Sequence, residues 1–92
     1  MNSVLHMITG LNDGGAEAVL YRLCTHDDPA RHHVVSMMDG GKYGPMLEAE
    51  GVRVTCLDMP RGRLTLSGLR RLWGVLRKER PQIVQTWMYH AN

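Results

Sequence analysis

Val4-Leu5-His6-Met7-Ile8-Thr9-Gly10-Leu11-Asn12-Asp13-Gly14-Gly15-Ala16-Glu17 changes character twice. Residues 4–8 form an apolar run interrupted only by His6, which suits a buried strand. Residues 10–15 are rich in turn formers, with glycine at 10, 14 and 15. From Ala16 the period becomes helical, with Ala16, Val19, Leu20 and Leu23 predicted on one face. Strand, glycine loop and helix in that order open a β-α-β unit.

The same alternation continues outward. Asp27-Asp28-Pro29 ends the helix, because proline removes a donor and restricts the residue before it. Residues 33–38 read as a second strand, closed by Asp39-Gly40-Gly41. A short helix over 45–50 stops at Gly51, and residues 52–57 make a third strand. After a basic loop, a helix is predicted over 67–79, with Ser67 as N-cap and Pro81 as stop. Its apolar stripe is Leu66, Leu69, Leu72, Trp73 and Leu76. Residues 82–87 form a fourth strand, and 88–92 lead toward another helix.

Strands alternating with helices imply an α/β fold: a parallel sheet with right-handed crossovers and helices on both faces. Such sheets bind ligands beyond the carboxyl ends of their strands, where the strand order reverses. The loops at 10–15 and 88–92 occupy that position, and a 3-2-1-4 order makes them neighbours. In that order the fourth strand is a bare edge, which a complete domain normally covers. Residues 1–92 are therefore expected to be the first part of a larger N-terminal domain.

At 43% hydrophobic and 22% charged, the composition is that of a globular chain, neither disordered nor fibrous. Met1 opens no basic leader, and no run approaches the roughly 20 apolar residues of a membrane span, so a cytoplasmic protein is expected. Cys24 and Cys56 lack CxxC spacing and read as core thiols. Among five histidines only His32 and His33 adjoin. Neighbours on a strand face opposite ways, so that pair cannot chelate one ion, and no metal site is expected. Residues 61–80 hold seven basic residues against Glu79, while the remainder carries four basic and eight acidic. One basic segment in a chain of net charge +2 argues against a nucleic-acid binder.

The glycine loop is neither GxGxxG nor Walker A, so it signals no dinucleotide or P-loop chemistry. Gly14 and Gly15 before a helix allow close backbone approach to a ligand, with free N–H groups and the positive end of the dipole facing it. They equally suit a tight turn. Asp13 and Glu17 would repel a diphosphate, which leaves Glu17 to cap the helix or to accept hydrogen bonds from a sugar hydroxyl.

VLHMITGLNDGGAE resembles the start of family 4 glycosyltransferases, where an apolar strand runs into a loop ending GGAE. HHVVSMMDGGKYGPMLEAEGVRVTCLDM is similar to that family's second strand, following helix and third strand, and RPQIVQTWMYHAN to its fourth. The resemblance covers essentially the whole chain. It implies a retaining enzyme of GT-B architecture, in which two Rossmann-like domains face each other across a cleft. The N-terminal domain mainly holds the acceptor, a saccharide or a lipid-linked molecule, and the C-terminal one the nucleotide sugar. Neither a cofactor nor a catalytic metal is implied. By carry-over, Gly14 and Gly15 approach the donor diphosphate and the acceptor. Many relatives have HTH after the fourth strand, where this chain has Gln85-Thr86-Trp87, so the role of the second histidine does not pass to Trp87.

His90, three residues on, could place an imidazole in the cleft as the catalytic candidate, or cap the next helix. Trp87 and Tyr89 could stack on a sugar ring or belong to the core. Arg70, Arg71, Arg77 and Lys78 gather away from the leucine stripe. That face is either solvated or a contact with anionic lipid at the inner membrane surface. The competing reading of the whole chain is a non-catalytic Rossmann-like binding or interaction module.

Overall fold

The computed structural model describes residues 3–8, 15–59 and 65–87. Four strands, β1 (Val4–Ile8), β2 (His32–Ser36), β3 (Arg53–Cys56) and β4 (Ile83–Trp87), alternate with helices α1 (Gly15–His26), α2 (Tyr43–Ala49) and α3 (Leu66–Glu79). All strand pairs are parallel and the order is β3-β2-β1-β4. This is the Rossmann-like α/β arrangement expected from the alternation, and its strand order is the expected one, with β1 beside β4.

Side chains alternate through the sheet and divide the core in two. On one face Ile8 and Val34 pack with Leu20 and Cys24 of α1 and with Tyr43 and Leu47 of α2. The Tyr21 and Tyr43 rings, 5.9 Å apart, join the two helices. On the other face Leu5 and Val35 meet Leu57, Met59 and the Leu72, Val75 and Leu76 stripe of α3.

Both long helices differ from the predicted facing. In α1, Leu20 and Cys24 are buried, whereas Val19 and Leu23 are about half exposed. In α3, Leu66, Leu69 and Trp73 lie on the surface. Helical spacing places residues on a common side but cannot say how wide the covered arc is. Here each helix packs over the centre of the sheet, and β4 remains uncovered, with Ile83 and Val84 half exposed.

Helix α3 also begins earlier than predicted. Thr65, with extended φ and ψ, is the N-cap, and its hydroxyl accepts a hydrogen bond from the Gly68 N–H. Gly68 is buried against Met59, and a Cβ there would lie 2.6 Å from the Met59 Sδ. A side chain at this position would therefore have to displace Met59 from its contact with the start of α3. At the other end, Arg80 takes the left-handed conformation, φ 42° and ψ 58°, just before Pro81. The last turn is fastened by Glu79, which accepts from His33 Nδ1 at 3.2 Å and pairs with Arg53.

Candidate functional site

At the carboxyl end of the sheet, the first turn of α1 and the last residue of β4 border an open cleft of about 380 Å³, lined by Gly15, Ala16, Glu17, Val19 and Trp87. The parallel register explains this meeting, since Ile8 pairs with Trp87 and the chain enters α1 soon after Ile8. The first turn of α1, the positive end of its dipole, borders this cleft. A Cβ added to Gly15 meets nothing within 4 Å, so no group among the described residues requires glycine there. Positive φ is found at Gly41 and Gly51 among the described glycines, so backbone strain does not explain Gly15 either. What the missing side chain leaves is open space beside the helix start.

The sequence-predicted residues Gly15, Glu17 and Trp87 thus come together. Gly14, Tyr89 and His90 lie outside the described residues. Arg70, Arg71, Arg77 and Lys78 are all exposed on α3 and do not line the cleft; Arg70 and Arg77 lie opposite its buried stripe, Arg71 and Lys78 beside it. Arg71 is engaged, donating to the Cys56 carbonyl at 3.1 Å and to Asp58 at 3.3 Å.

Trp87 joins a buried polar chain that sequence reading missed. Its indole Nε1–H donates to His6 Nδ1 at 3.0 Å. His6 Nε2 lies 2.8 Å from His32 Nδ1, and His32 Nε2 lies 3.0 Å from Asp27 Oδ2. Indole N–H can only donate, which assigns every proton in the chain. His6 accepts at Nδ1, carries its hydrogen on Nε2 and donates to His32. His32 in turn carries its hydrogen on Nε2 and donates to the carboxylate. Burial, followed by the neighbouring His32, pushes the pKa of His6 down to about 4, which keeps it neutral as this arrangement demands.

Cys24 completes a compact cluster with the two imidazoles, their ligand-type atoms lying within 4.8 Å of one another. His32, with a carboxylate on its outer nitrogen, has the support that metal-bound histidines have. His6 does not, because Trp87 occupies its Nδ1 lone pair and leaves the inward nitrogen protonated. Burial also pushes the Cys24 thiol up to about 12. The cluster is a satisfied network of neutral groups, consistent with the lack of unpaired buried side-chain polar atoms among the described residues. His32 and His33 do face opposite sides of the sheet, His33 donating to Glu79 and accepting from Thr55 at 2.7 Å. The cluster instead draws on His6, 26 residues from His32. The one available signal was a histidine inside an otherwise apolar central strand.

A second cleft, of about 520 Å³, lies near His33, Arg53 and Glu79 at the amino ends of the strands. In parallel α/β sheets ligands bind at the opposite end, which favours the cleft beside Trp87. The fold is a Rossmann-like α/β sheet with an open cleft at its topological switch point. Comparison of the chain with protein-family models, with curated proteins and with solved structures gives no match.

Proposed function

We propose that the chain forms the acceptor-side segment of a retaining, GT-B-type glycosyltransferase that moves a sugar from a nucleotide donor to a saccharide or lipid-linked acceptor. The observation that carries this reading is the convergence of Gly15, Glu17 and Trp87 on one cleft at the carboxyl end of the sheet. An indole offers a flat apolar face to the C–H side of a sugar ring, and a carboxylate accepts hydrogen bonds from its hydroxyls. The first turn of α1 supplies N–H groups for negative charge on the departing diphosphate. In this reading His90 is the group that assists chemistry, Gly14 and Tyr89 contribute to donor and acceptor binding, and the donor is held by a second α/β domain. No cofactor or metal is required.

The exposed Arg70, Arg77 and Lys78, flanked by Leu66 and Trp73, support a peripheral contact with anionic lipid, which would bring the cleft to a lipid-linked acceptor. No described helix is long and apolar enough to cross a membrane.

The test is transfer from a panel of radiolabelled nucleotide sugars by the full-length protein, with Gly15→Val and His90→Ala as variants. Gly15→Val should fold, since its side chain enters open space, yet lose most turnover by filling the cleft. His90→Ala should lower kcat by about 10²-fold. Wild-type kinetics in a folded Gly15→Val protein would refute the assignment of the cleft.

A further inference from the structure

The buried chain from Asp27 to Trp87 links places that serve different purposes. Asp27 follows the carboxyl end of α1 and is part-exposed, paired with Arg31 at 3.0 Å. Trp87 stands at the opposite end of the sheet, as a wall of the cleft. Between them His6 and His32 are almost wholly buried, at 1% and 3% exposure. Their rings are inclined by only 22°, which suits two imidazoles joined edge to edge by a hydrogen bond.

Apolar side chains of similar volume would fill this space without polar cost, so the network carries more information than packing needs. Its information is directional. A carboxylate can only accept and an indole N–H can only donate, so the ends force a single proton arrangement on both histidines. An added proton on either imidazole sets two donors face to face at some link of the chain. A reversed tautomer of His6 does the same at Trp87. The indole therefore keeps its bond only while every link toward Asp27 stays in order.

We propose that Asp27, His32 and His6 are positioning residues that act as one relay, holding the Trp87 indole in the orientation that shapes the cleft. What occupies the cleft rests on the glycosyltransferase reading, but the relay belongs to the ligand-free protein and is measurable without any substrate. Its function is to fix the plane of a ring that lies on an otherwise exposed edge strand. The rest of β4 has little to hold it: Ile83 and Val84 are half exposed, and among the described strands β4 pairs with β1 alone. Without the relay, Trp87 keeps only its packing against the core around Ile8 and Leu20, and no hydrogen bond fixes the plane of its ring.

Among the described residues, few groups bear on the relay. Cys24 approaches from α1 as a neutral thiol, Asp27 and Arg31 form its outer end, and Trp87 closes the inner end.

Nitrogen-15 NMR of the histidine side chains and of the two indole N–H groups in the full chain tests the proposal. In the wild type at neutral pH, His6 and His32 should both appear as Nε2–H tautomers. The Trp87 N–H should exchange with solvent more slowly than that of Trp73, which is 62% exposed. Asp27→Leu, a change at a part-exposed site, removes the terminal acceptor and should speed Trp87 exchange by about three- to tenfold, the worth of one hydrogen bond. Asp27→Asn retains an acceptor oxygen and should restore near-wild-type exchange. Trp87→Phe should release His6 to a mixture of tautomers.

A His6 Nδ1–H tautomer in the wild type would overturn the proposal. So would Trp87 exchange that is indifferent to Asp27→Leu, which is what packing alone predicts. Addition of Co²⁺ that produces a thiolate charge-transfer band would overturn it too, replacing the relay by a metal centre. The transferase reading fails separately, through absent sugar transfer by a protein whose tautomers are as stated.

Discussion

Acidification should destabilise this protein through His6. The chain buries that imidazole in its neutral form, so the folded state resists protonation until about pH 4, whereas an exposed imidazole titrates at 6.5. As pH falls below 6.5, the unfolded chain takes up the proton first and is favoured. The stability contributed by neutral His6 is therefore whole above pH 6.5, declines between 6.5 and about 4, and changes no further below that. The difference between the two values amounts to about 3 kcal/mol. For a domain of this size that corresponds to a fall in Tm on the order of 10–20 °C between pH 7 and pH 4.

Thermal or urea unfolding followed by circular dichroism across this range measures it. His6→Gln removes the titration while keeping a polar side chain, so its curve should be flatter than wild type by about 3 kcal/mol over the same window. His33, also lowered chiefly by burial, contributes in the same direction but equally to both proteins and cancels. Asp27 is held below the usual carboxylate range, first by a backbone hydrogen bond and next by His32. Its contribution is present above the ordinary carboxylate value and is lost as pH falls through the lower folded one, beneath most of the His6 window. Parallel pH profiles for wild type and His6→Gln would refute the reasoning, because a buried neutral imidazole cannot be free of this linkage.

Three further outcomes are expected. Gly68→Ala should lower stability by about 1 kcal/mol despite alanine's better helix propensity, because its methyl overlaps the buried Met59 side chain; chemical denaturation reads the sign. Arg80→Gly should raise stability by about 1 kcal/mol, since glycine enters the left-handed region without the Cβ penalty, and an unchanged or lower Tm would contradict that account. If α3 meets anionic lipid, co-sedimentation with phosphatidylserine vesicles should weaken as salt rises and fall in the Arg70→Gln, Arg77→Gln, Lys78→Gln triple variant. Arg71, held by Asp58, is expected to matter less.

The order of elements was legible because it is written in local patterns. Residues 4–8 are too short and too apolar for anything but a buried strand, and the glycines before Ala16 mark a turn into a helix. Gly51, with φ 91°, ends α2 as a terminal glycine should. Alternating strands and helices left few topologies, and the β3-β2-β1-β4 order is the one that makes the first and fourth strands neighbours. The cleft's location followed from that order, and Gly15, Glu17 and Trp87 with it. Local patterns were weaker at boundaries. Ser67 and Thr65 are both capping types, and only the fold shows that Thr65 is extended and bonded to Gly68.

Three-dimensional packing alone decided the rest. Val19, Leu23, Leu69 and Trp73 belong to apolar stripes, yet they are exposed because the helices centre on β1 and β2 and leave β4 uncovered. A stripe records angular position on one helix, and its burial depends on what stands opposite. The relay is the stronger case. His6 and Trp87 are 81 residues apart, and neither the tautomer of His6 nor the orientation of the indole has any local determinant. Parallel pairing of β1 with both β2 and β4 brings His6 between His32 and Trp87, and proton direction then follows from the chemistry of the two ends. Periodicity within the sequence could place each of these residues on a strand or beside a helix. Their bonding was determined by contacts between segments, where sequence spacing carries no distance.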